Sequence, residues 1–111
     1  MGKYLLIESR DPYRHADAGP FSGIAADLAK AGNSVTVFLV QNGVLPARKG
    51  AGGNPIATLR SAAPQVRVLA DDFSLRERAI TQDKLADGVS QASIDELVDL
   101  LVEPGTKAIW H

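Results

Sequence analysis

Val66-Arg67-Val68-Leu69-Ala70-Asp71-Asp72-Phe73-Ser74-Leu75-Arg76-Glu77-Arg78 changes pattern partway along, and that change decides the fold. Val66 to Leu69 is a short, nearly continuous aliphatic run of strand length, as expected where a strand is covered on both faces. Five residues later Ser74 and Glu77 stand at capping-box spacing, the start signal of a helix. A buried strand that passes this quickly into a helix is half of a βαβ unit.

Outward from this stretch the alternation repeats. Tyr4 to Ile7, Ser34 to Val40 and Lys107 to Trp110 are further strand-like runs, and a weaker one lies in Asp87 to Gln91, where Val89 is the only strong β former. Ser22 to Ala31 places Ile24, Ala25, Leu28 and Ala29 on one stripe, with Ser22 as the expected N-cap and Gly32 as the expected left-handed terminator. Asn54 and Pro55 open a second helix that Pro64 stops. Ser93 and Glu96 form a second capping box, followed by Ile94, Leu97, Val98 and Leu101 at helical spacing until Pro104-Gly105. Between the two capping boxes, Thr81 is placed to cap one turn ending near Gly88. The expected architecture is α/β, a three-layer α/β/α sandwich around a mainly parallel sheet of four to five strands, in one domain spanning residues 1–111. The stretch Gly50-Ala51-Gly52-Gly53 is expected to form a loop.

Composition bounds the function. With 45% hydrophobic and 23% charged residues the chain is in the globular range, and a net charge of -1 gives no field to attract phosphate backbones or anionic lipid. Neither nucleic acid nor a membrane is an expected partner. No leader pattern opens the sequence, no apolar run approaches membrane-spanning length, and there is no cysteine, so a cytoplasmic location is expected.

Open parallel sheets bind ligands beyond the carboxyl ends of their strands, so the residues just after each strand are the candidates. They are Glu8, Ser9, Arg10 and Asp11 after the first, Gln41 and Asn42 after the second, Asp71 and Asp72 after the third, and His111 after the last. Arg76 and Arg78 point to different faces of their helix, and one of them, with Arg78 the candidate, joins the set if it turns inward to pair with Asp71 or Asp11. Of the adjacent aspartates, one fits a capping role and the other, taken as Asp71, is left for function as a base or a charged anchor. His15 and His111 lack close ligand spacing, so no metal is expected, and no cofactor motif is present. Trp110 is expected at a subunit contact or a pocket wall.

The segments Lys3 to Ser9, Val35 to Val44, Val68 to Arg78 and Lys107 to His111 resemble the DsrE/DsrF/DsrH group of sulfur-relay proteins, over essentially the whole chain. The resemblance implies a small α/β protein that assembles as a homo-oligomer, trimer or hexamer, or with DsrE-like partner subunits. It further implies a place in sulfur transfer, where active members hold persulfide on a cysteine just before the helix that here carries Leu75 and Arg78. In this chain the matching stretch is Ala70-Asp71-Asp72, with Asp71 at the expected position, and the sequence contains no cysteine at all. Persulfide relay needs a thiolate, and a carboxylate cannot form an S–S bond. The expectation is therefore a cysteine-free member that serves as a non-catalytic binding or structural subunit. The alternative is a small-molecule binder or enzyme built on the strand-end cluster, with Asp71 as base or anchor. Where the family has Arg-Gly, this chain has Arg78-Ala79.

Overall fold

The computed structural model describes residues 2–11, 18–50 and 55–111. Five strands, β1 (Lys3–Glu8), β2 (Ser34–Leu39), β3 (Arg67–Asp71), β4 (Val89–Ala92) and β5 (Thr106–Trp110), form one sheet in the order β4-β3-β2-β1-β5, with every pairing parallel. The helices are α1 (Ala18–Lys30), α2 (Pro55–Ala62), α3 (Asp72–Glu77) and α4 (Ile94–Val102), with 3-10 segments at Gln41–Ala47 and Gln82–Lys84. This is the expected α/β sandwich, and the weak fourth run is a real strand, shifted to Val89–Ala92 and held by its ladder to β3.

Strand order dictates the layers. From β1 to β4 the chain steps three times in one direction, so right-handed crossovers put those connections on one face. The last crossover runs back across the sheet to β5 and must lie on the other face, where α4 is its helix. Two apolar clusters match this division. Leu6, Val37, Leu39, Val68 and Ala70 pack with Ala25, Ala29, Ile56, Leu59 and Leu75 on the α1 and α2 side. Leu5, Ile7, Phe38, Val40 and Leu69 pack with Leu97 and the partly buried Leu100 on the α4 side.

Local signals explain most boundaries. The Ser93 side chain accepts from the Glu96 amide while Glu96 reaches back to the Ser93 amide, so the predicted capping box forms and α4 begins at Ile94. The helix α1 begins four residues earlier than predicted, which makes Ser22 an interior residue and not the N-cap. Pro20 falls in the first turn, where its missing N–H would have no intrahelical acceptor, so the Gly19-Pro20 pair does not stop the helix. Thr81 precedes a 3-10 turn without capping it, since its hydroxyl goes to the Asp83 carboxylate, which lowers the Asp83 pKa. Asn54, His15 and Ala51 to Gly53 lie outside the described residues.

Candidate functional site

The carboxyl edge of the sheet carries the predicted residues, and they are bonded to one another in two groups. The first surrounds Asp71, the last residue of β3. Its extended backbone (φ -61°, ψ 123°) makes it the N-cap of α3. One carboxylate oxygen accepts from the Ser74 amide at 3.0 Å and from the Ser74 hydroxyl at 2.7 Å, while that hydroxyl accepts the Gln41 amide at 2.8 Å. A continuous relay of donors thus ties the 3-10 segment after β2 to the start of α3. Asp71 and Ser74 are both buried.

Two expectations are corrected here. The cap of α3 is Asp71, not Ser74, which is the third helical residue and supplies the amide that is capped. Between the two aspartates, Asp71 holds the helix and Asp72 is the half-buried one, 3.8 Å from Arg76. The reason is that β3 extends two residues beyond Leu69, so the helix starts earlier than the Ser74 and Glu77 spacing indicates. Replacing Asp71 by alanine is expected to cost about 2 kcal/mol, because the helix loses its cap and a buried amide loses its acceptor. Asp71→Asn, which keeps an acceptor oxygen, is expected to recover most of that in urea unfolding.

Arg78 does turn inward, but toward neither Asp71 nor Asp11. Its Nε and Nη2 donate to Asn42 Oδ1 at 3.1 and 3.0 Å, and its Nη1 donates to the Ser74 carbonyl at 3.0 Å. The planar fork closes on a single amide oxygen, clasping Asn42 to the end of α3. Arg78 is also the C-cap. Beyond it, the Ala79 amide donates to Arg76 and the Ile80 amide to Leu75, the paired bonds of a Schellman terminator, and buried Ile80 and Leu75 share one core cluster. Ala79 sits at φ +56°, in the left-handed region that favours glycine. Ala79→Gly is therefore expected to raise stability by about 1 kcal/mol in thermal or urea unfolding.

The second group is built on Glu8, the first of the strand-end residues. Glu8, the last residue of β1, is 6% exposed, and its Oε2 lies 2.8 Å from His111 Nδ1 while its Oε1 accepts the Arg10 amide at 2.8 Å. Ser9 contributes its amide and hydroxyl to the His111 carbonyl at 2.9 and 3.0 Å, and the His111 amide donates to the Ile7 carbonyl. A buried carboxylate therefore fixes an imidazole through one ring nitrogen, the arrangement that orients a proton-carrying histidine. Asp11 is buried, Arg10 is exposed, and each has a neighbour of its own. Glu8 was legible as a strand-end acid, but its pairing with His111 depends on β5 lying beside β1, which no local pattern specifies.

The groups meet at the backbone of Glu8, whose carbonyl accepts the Val40 amide at 3.0 Å. A groove of about 510 Å³ lies beside α3, lined in part by Asp72, Leu75, Arg76, Ala79, Ile80 and Gln91. It sits where the connections after β3 and β4 leave for opposite faces, and of the candidate residues it takes Asp72 alone. Among the described residues no group of three or more His, Asp or Glu side chains could hold a metal ion. No described helix is long and apolar enough to cross a membrane.

Over residues 2–110 the chain matches the model of the DsrE/DsrF-like family. The chain belongs to this family. Its fold is also that of solved structures: the ychN protein of E. coli, at 20% identity over 98% of this chain and 100% of that one, superposes with a TM-score of 0.82. A protein of unknown function, MTH1491 of Methanobacterium thermoautotrophicum, is 21% identical over the full length of both chains, with a TM-score of 0.77. Among curated proteins, none matches. In this structure the Asp71 side chain caps a helix.

Proposed function

We propose that this chain is a non-catalytic DsrE-like subunit, one cytoplasmic domain that binds or scaffolds within sulfur metabolism or sulfur transfer without carrying sulfur itself. The observation that carries the proposal is chemical: the family fold is complete, the sequence holds no cysteine, and the position expected for the thiol is a buried carboxylate spent on capping α3. No atom of the chain can form a persulfide on a cysteine sulfur.

A subunit role needs a surface, and α4 supplies one. Leu97 faces the core, whereas Ile94, Val98, Leu101 and Val102 are 57, 50, 41 and 72% exposed. A helix apolar on both flanks is one that expects to be covered on both. Trp110, 66% exposed, lies in register with Ile7 and so on the same side of the sheet. Together these side chains expose apolar area on the order of several hundred Å², a large part of the ~800 Å² per partner of a standard interface. A second copy of this chain, in a trimer or hexamer, is the occupant proposed, with a DsrE-like partner subunit as the other outcome. Incubating the purified chain with a persulfide donor and measuring its intact mass is expected to show no added sulfur, and pull-down with a cysteine-bearing family member tests the partner outcome. Sulfur retained on the chain would remove the basis of the proposal.

A second reading is favoured by the Glu8 and His111 pair. If the strand-end edge handles a small molecule, the geometry supports His111, held by Glu8, as the proton-carrying group in place of Asp71. Ligand-induced shifts of the His111 ring signals that vanish in Glu8→Gln would support it; rings unmoved by any polar ligand would count against it.

A further inference from the structure

The α4 face of the sheet changes character toward the amino ends of its strands. Ile7, Phe38 and Leu69 lie side by side across β1, β2 and β3, and all three are buried. The next row on that face reads Ala108, Leu5, Thr36 and Arg67, and the row beyond it reads Thr106, Lys3 and Ser34. Of these seven only Ala108 and Leu5 are apolar. Sheet positions beneath a covering helix are ordinarily apolar, so a cation and hydroxyls over two successive rows mark a place where the sandwich is left open. The helix α4 ends just here, and a cleft of about 250 Å³ is lined by Lys3, Ser34, Thr36, Arg67, Glu103 and Thr106, with Leu100 among its apolar wall.

The charges in this cleft do not cancel. Lys3 Nζ lies 2.7 Å from Glu103 Oε1, which neutralises both. The Arg67 side chain has no ion-pair or hydrogen-bond partner among the described residues. One guanidinium therefore faces the cleft uncompensated, beside the hydroxyls of Ser34 and Thr36 in the adjacent strand.

We propose that this cleft is a binding site for a small tetrahedral oxyanion. The Arg67 fork presents parallel N–H donors to two anion oxygens, and the Ser34, Thr36 and Thr106 hydroxyls donate to the others. The volume is below the ~300–1,000 Å³ of pockets that hold drug-sized ligands, which suits an inorganic oxyanion with a few waters and excludes a nucleotide. The site stands at the opposite edge of the sheet from Asp71 and the Glu8–His111 pair, and it borders the carboxyl end of α4 through Leu100 and Glu103.

Inorganic phosphate and inorganic sulfate, titrated separately into the full-length chain at constant ionic strength and followed by amide and Arg Nε chemical shifts, test the proposal. Saturable shifts confined to Lys3, Ser34, Thr36, Arg67 and Thr106 are expected, with a Kd of order 1 mM. Arg67→Ala, a change at an exposed side chain that leaves the core intact, is expected to weaken binding at least about tenfold. Glu103→Gln is expected to strengthen it severalfold, because it removes the competing carboxylate and releases Lys3 to the anion. Unsaturable shifts, or Arg67→Ala and Glu103→Gln variants that bind as the parent does, would mean an adventitious ion only and would overturn the site. The two anions share one shape and differ in that phosphate carries a proton: equal affinity indicates a general oxyanion site, and saturation by one anion fixes its identity.

Discussion

Phe38→Ala is expected to destabilise the protein by about 4 kcal/mol, within the range that large-to-small changes at fully buried aromatics produce. Phe38 has no exposed surface and stands in the central strand of the sheet, flanked in register by Ile7 and Leu69. On its own side of the sheet one nine-residue helix, α4, provides the cover, through Leu97 and Leu100. With so few neighbours able to shift inward, the cavity left by the ring stays open, and the lost contacts are not regained. At roughly 5 °C per kcal/mol for a domain of this size, thermal unfolding is expected about 20 °C lower. Phe38→Leu, which fills much of the same volume, is expected to cost only about 1 kcal/mol. Equal effects of the two substitutions would show that ring volume is not what this core needs.

Gly43→Ala is the second large effect, expected at about 3 kcal/mol or more. A Cβ built on Gly43 would lie 2.2 Å from the Glu8 carbonyl oxygen and 2.9 Å from the Glu8 carbonyl carbon. Both are backbone atoms of β1, so neither can move as the tip of a side chain would. Relieving the clash requires separating the Gln41–Ala47 segment from β1, which breaks the bond from the Val40 amide to the same Glu8 oxygen. It also displaces the carboxylate that holds His111. Urea unfolding gives the energy, and the His111 ring signals report whether the pair is disturbed along with it. A Gly43→Ala variant as stable as the parent would contradict the close approach on which both strand-end groups depend.

The sequence was most readable where one local force decides the outcome. Apolar runs located four strands to within a residue or two, and the Ser93 and Glu96 capping box formed as read, since burial and capping both act over a few residues. It was least readable where two local signals compete. Asp71 and Ser74 can each cap a helix; the ladder from β3 to β4 carries the strand on to Asp71 and so gives the role to the aspartate. Ser22 has the residue type of a cap, yet α1 starts at Ala18 and carries Pro20 in its first turn, where a proline breaks nothing. The strand-end set was correctly placed along one edge, but its bonding followed from strand order. Arg78 meets Asn42 because β2 neighbours β3, and Glu8 meets His111 because β5 returns to the far side of β1.

The exposed stripe on α4 follows from that same return. A single crossover brings α4 to the second face, and its outer side is left exposed among the described residues. The mass of the purified chain in solution, measured by light scattering at micromolar concentration for the parent and for Val98→Asp, tests the subunit role most directly. An assembly of three or six copies of 11.8 kDa that falls to the monomer in Val98→Asp is the predicted result. A parent chain that stays at 11.8 kDa and takes up no DsrE-like partner would contradict it.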